Sequence, residues 1–325
     1  CRGFAAAVAR QLSPQQLVFI GYLFYVFTGW IMLCLPFSQK TQQPGILDHL
    51  FTAMSAVSTT GLTTTSTGDS YTFFGQLVVL TMIQMGGIGY MTLGSFLILS
   101  RKKDIPSTRK KAAQAVFSLP QSFKLNEFIR SVVVFTLALE ILGSLGLFLI
   151  FRHAGMPDAL WSAVFHSISA FCTAGFSLYN NSFEAFRDNF ALNLIVGMLS
   201  YLGATGFIVC IDFWNKLSGK TESITLTSKI IIGATFWLSL AGTILLFLSE
   251  DSIAALPPEE RLLTSLFQSM AALTTVGFNT INIAALSKSS VLLLTILMII
   301  GASPSGTGGG VKVTTLTAII GVVRS

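Results

Sequence analysis

The sequence predicts an all-α, polytopic membrane protein assembled from repeated units of helix, re-entrant loop and helix. Three observations carry that prediction. Hydrophobic residues make up 52% of the chain and charged residues 10%, with 27 Phe among 325 residues, well beyond what a soluble core needs. Six apolar runs, uncharged apart from Glu140 and Lys312, each reach the ~20 residues that a helix needs to cross a hydrocarbon core. Shorter apolar segments lie between the runs, and three of them align with one another without a gap.

The runs extend over Leu17 to Phe37, Tyr71 to Ser100, Ser131 to Phe151, Phe190 to Ile211, Ile230 to Ser249 and Val291 to Val323. Two connections are basic, Arg101 to Lys111 and Asn215 to Lys229, whereas Ser249 to Arg261 is acid-rich. The excess of Lys and Arg on short connections places the first two in the cytoplasm, and Arg2 and Arg10 place the N-terminus there too. The net charge of +6 is thereby read as a topology signal, and nucleic acid is not expected as a partner. No small-residue cleavage site follows the first run, so that run is expected to direct insertion itself. The predicted organisation is a first repeat over 1–100, a basic cytoplasmic connection over 101–125, a second repeat over 126–214, a second connection over 215–229, and a third repeat over 230–325 whose last helix is broken.

The aligned segments begin at Phe51, Phe165 and Phe267, with Ala at the sixth position, Thr at the ninth and Gly at the eleventh. A helix such as Ile46 to Ser58 is too short to cross the membrane, and a second span follows each segment, so each is expected to dip in and return on the outer side. Irregular backbone at membrane depth is tolerated where it lines a water-filled path. The T-x-G triplets Thr59, Thr60 and Gly61, Thr173, Ala174 and Gly175, and Thr275, Val276 and Gly277 are therefore the predicted lining. Their backbone carbonyls would replace the water of a monovalent cation, glycine would let the backbone come close, and the partly negative C-terminal helix ends would favour positive charge.

The last run is interrupted by "GASPSGTGGGVKVTT", Gly301 to Thr315. Its lysine follows Val311, no strand precedes it and it sits within a membrane run, which excludes a nucleotide-binding loop. Gly301, Gly306, Gly308, Gly309 and Gly310 suit a mobile or tightly kinked loop. Ser303, Ser305 and Thr307 are expected to satisfy backbone groups freed by the break. Lys312 either snorkels to the inner interface or sits deep enough to act electrostatically on a cation path.

Glu140, in mid-span, is expected to hydrogen-bond between helices or pair with a lysine or arginine, with ion coordination as the other reading. Arg130 is an expected interfacial anchor. The glycines of Gln84 to Gly94 and Tyr201 to Gly206 fall at matching positions after their T-x-G and are assigned to close helix packing. Cys34, Cys172 and Cys210 are scattered, without disulfide or metal spacing, and are assigned to packing. No HExxH, GxSxG or paired-carboxylate pattern occurs, so an enzyme is not expected. The enzyme alternative would require Glu140, His166 and Lys312 to converge on a cavity, and a non-conducting scaffold is a further alternative.

The stretches "LSPQQLVFIGYLFYVFTGWIMLCLPFS", "FGQLVVLTMIQMGGIGYMTLG", "HSISAFCTAGFSL" and "GASPSGTGGGVKVTT" resemble the Trk/Ktr/HKT superfamily of potassium and sodium transporters. The likeness covers nearly the whole chain and is greatest to the bacterial Ktr-type membrane subunit. It implies a potassium-channel-like fold of four helix, pore-loop, helix repeats, and potassium uptake across the plasma membrane through a filter of one glycine per repeat, here Gly61, Gly175 and Gly277. It implies an intramembrane gating loop at Gly301 to Thr315, a homodimer, membrane lipid around it, and a separate cytosolic nucleotide-binding regulatory ring against the basic inner loops. Sodium is the alternative ion. No cofactor or metal is implied beyond the transported cation. Because the family has four repeats and this sequence stops at Ser325, the fourth filter segment is expected beyond it.

Overall fold

The computed structural model describes residues 14–40, 44–89, 92 and 125–324. The predicted N-terminal signals at Arg2 and Arg10, and nearly all of the basic connection over 101–125, lie outside them. Among the described residues the elements are helical, apart from an isolated bridge between Gln39 and Tyr71.

The first repeat comprises α1 (Pro14–Cys34), α2 (Ile46–Val57) and α3 (Phe73–Ile88). The second comprises α4 (Leu125–His153), α5 (Ala159–Phe171), α6 (Phe190–Thr205) and α7 (Phe207–Leu217). The third comprises α8 (Leu226–Ser249), α9 (Pro258–Leu273), α10 (Lys288–Ile300) and α11 (Val313–Arg324). Local chemistry starts the same helix in each unit. The side chains of Thr72, Asn189 and Ser287 accept from the backbone N–H groups of Gly75, Leu192 and Ser290 and so cap α3, α6 and α10. Each supplies a partner for a donor that a helix start leaves orphaned.

The 12 residues of α2 and the 13 of α5 rise only about 18–20 Å at 1.5 Å per residue, short of a ~30 Å hydrocarbon core. α4 and α8 are long and apolar enough to cross. Phe24 on α1, Leu149 on α4 and Trp237 on α8 are about two-thirds exposed, an outward face that hydrocarbon rather than water would solvate. The buried core is aromatic: Phe151, Phe165, Phe171, Phe176, Phe183 and Phe278 are almost fully covered.

One run is not the straight helix its composition suggested. The apolar stretch from Phe190 to Ile211 is broken, because α6 and α7 meet at a bend of 99°. Gly206 sits in the bend at φ +87°, backbone that only glycine adopts without strain. Gly206 therefore makes the corner rather than serving helix packing, the role its sequence suggested. Gly203 and Gly86 do serve packing. A Cβ on Gly203 would lie 1.9 Å from the carbonyl oxygen of Phe171, and one on Gly86 would lie 2.1 Å from that of Val57. Phe171 and Val57 are the last residues of the short helices of their own repeats, so the two glycines admit equivalent contacts.

Candidate functional site

The three short helices α2, α5 and α9 end in one turn repeated three times. The N–H groups of Thr60, Ala174 and Val276 donate to the carbonyls of Ser55, Ser169 and Ala271, while those of Thr59, Thr173 and Thr275 donate to Ala56, Ala170 and Ala272. This is the paired bonding of a Schellman cap, in which the residue just past the helix takes left-handed backbone. That residue is normally glycine. Here it is Thr59, Thr173 and Thr275, at φ +49°, +49° and +57°, and a β-branched residue in that region is strained. Two residues on, Gly61, Gly175 and Gly277 also have positive φ, at +78°, +68° and +85°. The two positive φ values in each place the predicted triplets in a common, tightly curled conformation.

The triplets adjoin in chain order. A Cβ on Gly61 would lie 2.3 Å from the Ala174 carbonyl oxygen, and one on Gly175 would lie 2.0 Å from that of Val276. Gly61 and Gly175 thus abut the middle residue of the next triplet, head-to-tail, whereas a Cβ on Gly277 would meet nothing within 4 Å. All three glycines open onto one polar cavity of about 390 Å³, which Thr64, Ser66, Ser177 and Asn279 also line.

Below two of the turns lies the break between α10 and α11. Thr307 Oγ1 donates to the Phe171 carbonyl at 3.1 Å and lies 3.0 Å from Thr173 Oγ1, while the Gly309 N–H donates to Thr275 Oγ1 at 2.7 Å. The other side of the loop is bonded to the α6–α7 corner. The N–H groups of Ser303 and Thr307 donate to Ala204 and Gly203, the Ser303 hydroxyl donates to the Thr205 carbonyl, and the Phe207 and Ile208 N–H groups donate to the carbonyl and hydroxyl of Ser305. The predicted polar residues Ser303, Ser305 and Thr307 therefore satisfy freed backbone groups chiefly on neighbouring elements. Lys312 Nζ donates back into the loop, to the Gly308 carbonyl at 2.8 Å.

The loop glycines have a second purpose besides freedom. Cβ atoms on Gly301, Gly306 and Gly310 would fall 2.3–2.5 Å from the backbone atoms of Gly309, Ala204 and Met298, and one on Gly308 would fall 2.5 Å from Ala302 Cβ. Gly309 is less crowded, with its nearest neighbour at 3.4 Å.

Glu140 is buried, and Gln84 Nε2 donates to its Oε2 at 2.8 Å. The interhelical hydrogen bond expected of it is present, with an amide in place of a lysine or arginine. The Cys172 thiol faces both Gln84 Oε1, at 3.6 Å, and Glu140 Oε1, at 3.9 Å, so this cysteine is more than a packing residue. His166 is held elsewhere: the Leu178 N–H and the Ser177 hydroxyl meet its Nε2, which leaves Nδ1 to donate to the Ser162 carbonyl at 2.7 Å. Glu140, His166 and Lys312 thus have separate partners, and the convergence an enzyme would require is not found. Among the described residues no His, Cys, Asp and Glu cluster could hold a metal ion.

Two features escaped the sequence. The corner at Gly206 was hidden in a continuous apolar run. The Gln84–Glu140 contact has a counterpart in the Tyr201 hydroxyl bonded to that of Ser239. Aligning "QMGGIG" with "YLGATG" pairs Gln84 with Tyr201 and marks both as candidates for the same contact.

The family model for TrkH, a cation transport protein, matches residues 28–325. The potassium/sodium uptake protein NtpJ of Enterococcus hirae is 31% identical over 318 residues, covering 96% of this chain and 70% of that protein. The Ktr system potassium uptake protein D of Bacillus subtilis is 35% identical over 316 residues, covering 94% and 70%. The crystal structure of the potassium transporter TrkH from Vibrio parahaemolyticus superposes with a TM-score of 0.71 at 22% identity, over 97% of this chain and 62% of that one. The chain therefore spans less than two-thirds of that transporter and about 70% of the two uptake proteins. By family model and relatives alike, the chain belongs to the TrkH family of cation transport proteins.

Proposed function

We propose that this chain forms most of the wall of a potassium uptake path in the plasma membrane, with its N-terminus in the cytoplasm. In this reading the T-x-G turns are the filter and Gly301 to Thr315 is the gate. The observation that carries the reading is the three-fold turn: its three glycines open onto one polar cavity, the first two abutting the next turn head-to-tail, and a broken helix is hydrogen-bonded to the second and third turns from below. Backbone carbonyls in such an arrangement can replace a cation's hydration shell. The bonded loop corresponds to a closed path, and its release opens one. By family likeness, a homodimer and a cytosolic nucleotide-binding ring complete the assembly.

Sodium is the second reading, favoured by the likeness to the potassium/sodium uptake protein NtpJ of Enterococcus hirae. Rubidium uptake into cells deficient in potassium uptake, with the regulatory partner supplied and sodium as competitor, tests both. Potassium-selective uptake that collapses or loses selectivity in Gly175→Ser supports the filter, because any Cβ there meets the Val276 carbonyl. Uptake competed equally by sodium favours the second reading. No flux from protein shown to be in the membrane overturns the transport proposal.

A further inference from the structure

The second and third repeats each lock onto the repeat before them at the same register, and a comparison of the two locks isolates one residue. At the junction of repeats two and three, the hydroxyls of Tyr201 on α6 and Ser239 on α8 bond to each other, and Ser269 of α9 donates to the Ser239 carbonyl at 2.9 Å. At the junction of repeats one and two, Gln84 on α3 donates to Glu140 on α4 at 2.8 Å, and Ser167 of α5 donates to the Glu140 carbonyl at 2.8 Å. Ser167 and Ser269 occupy the same place in the aligned segments. Neutral groups alone thus suffice to make this lock, yet one copy carries an ionisable group at membrane depth, where it is expensive.

The neighbours of Glu140 serve its two oxygens unequally. Its Oε2 accepts from the Gln84 amide, but Oε1 has only the Cys172 thiol, at 3.9 Å. Its side chain is 96% buried, and among the described residues no Lys, Arg or His forms an ion pair with it. A buried carboxylate without a counter-charge is strongly disfavoured. Its neighbour in the wall is the second turn: the Cys172 carbonyl accepts from Thr173 Oγ1 at 2.8 Å, and Thr173 opens the T-A-G triplet.

We propose that the Glu140 carboxylate is the counter-charge of a cation held at the second turn of the path, acting through the wall rather than by touching the ion. The inference rests on the transport reading above. It assigns Glu140 to cation affinity, and Gln84 and Cys172 to holding the carboxylate against the turn. A cation in the path supplies the missing positive charge, and Coulomb attraction across a low-dielectric wall favours its occupancy.

Rubidium uptake as a function of concentration tests this in the wild type, in Glu140→Gln, and in the double variant Gln84→Glu/Glu140→Gln. Glutamine keeps the volume of residue 140 and its bond to Gln84 while removing the charge, and the double variant returns the charge to the other side of the same contact. The expected result for Glu140→Gln is a half-saturation concentration raised about fivefold, the order a single through-wall charge produces, at an unchanged maximal rate. The double variant is expected to return to within about twofold of wild type by the same Coulomb argument. A purely mechanical lock predicts equal half-saturation in Glu140→Gln and wild type, and that result overturns the proposal while leaving the transport reading intact. Should Glu140→Gln fail to reach the membrane, a raised half-saturation in the double variant overturns it instead. Absence of wild-type flux removes the transport reading and this inference with it.

Discussion

Threonine at positive φ costs of order 1–3 kcal/mol, and the same cost recurs at Thr59, Thr173 and Thr275. Glycine would relieve it but would remove the hydroxyls. Thr59 and Thr173 use theirs on the preceding carbonyls at 2.8 Å, and Thr275 uses its own on the Gly309 N–H. Strain maintained in three copies by surrounding contacts marks a place where geometry outweighs stability. Of the glycines two residues on, Gly61 and Gly175 are held by sterics as well as by φ, and the two effects can be separated. Gly155 has φ +66° with nothing within 4 Å of a Cβ, whereas Gly175 has φ +68° with the Val276 oxygen at 2.0 Å. Gly155→Ala should cost about 1–2 kcal/mol from backbone conformation alone. Gly175→Ala should cost more, about 3 kcal/mol or above, because a clash is added. Thermal unfolding of the two variants in detergent checks the order, and equal losses would refute the steric account.

Helix ends and breaks do most of the work at the scale of elements. The α10–α11 loop is bonded on one side to the turns and on the other to the α6–α7 corner, so two interrupted helices brace each other. In the proposed closed path Thr307 is the latch, through the Phe171 carbonyl and Thr173 Oγ1. Thr307→Val keeps the shape and removes both contacts, weakening closure by about 1 kcal/mol on the usual net worth of a hydrogen bond. Rubidium influx without the regulatory partner should then rise about fivefold, since 1.4 kcal/mol is tenfold. Unchanged or reduced influx would remove Thr307 from the latch. This part of the site was only half legible beforehand. The broken helix announced itself in "GASPSGTGGG", because consecutive glycines cannot extend a helix cheaply. Its partners did not, because the corner at Gly206 lies inside apolar residues that suit either a straight or a bent helix.

At the scale of the whole molecule, the third repeat holds a buried carboxylate that ties two of its helices together and titrates. Glu250, just past the end of α8, is 2% exposed. Its Oε1 accepts from the Ser252 N–H and hydroxyl, and its Oε2 from those of Ser287 at the start of α10. Burial alone would raise its pKa, but hydrogen bonds from Ser290, Ser252 and Ser287 outweigh it and hold the carboxyl down to about 2, from 4.5. Since the folded value is the lower one, this stabilisation is fully present above pH 4.5 and disappears as pH falls towards 2. The melting temperature in detergent should therefore drop over that window. Glu250→Gln should melt lower at pH 7 and show a shallower acid dependence, whereas a parallel drop in both proteins would show that Glu250 does not carry it.

The sequence by itself determined the class of this protein, the three-fold repeat and the positions of the curled turns. These are matters of composition and local period: apolar length sets what enters a membrane, and the Phe, Ala, Thr and Gly spacing recurs in every copy. Only the tertiary structure decided that the turns meet head-to-tail, that Phe190 to Ile211 bends, and that Glu140 faces an amide and a thiol instead of a cation. Gln84 and Glu140 are 56 residues apart and Thr173 and Thr307 134 apart. Contacts of that separation are set by how whole helices pack, which no local pattern encodes.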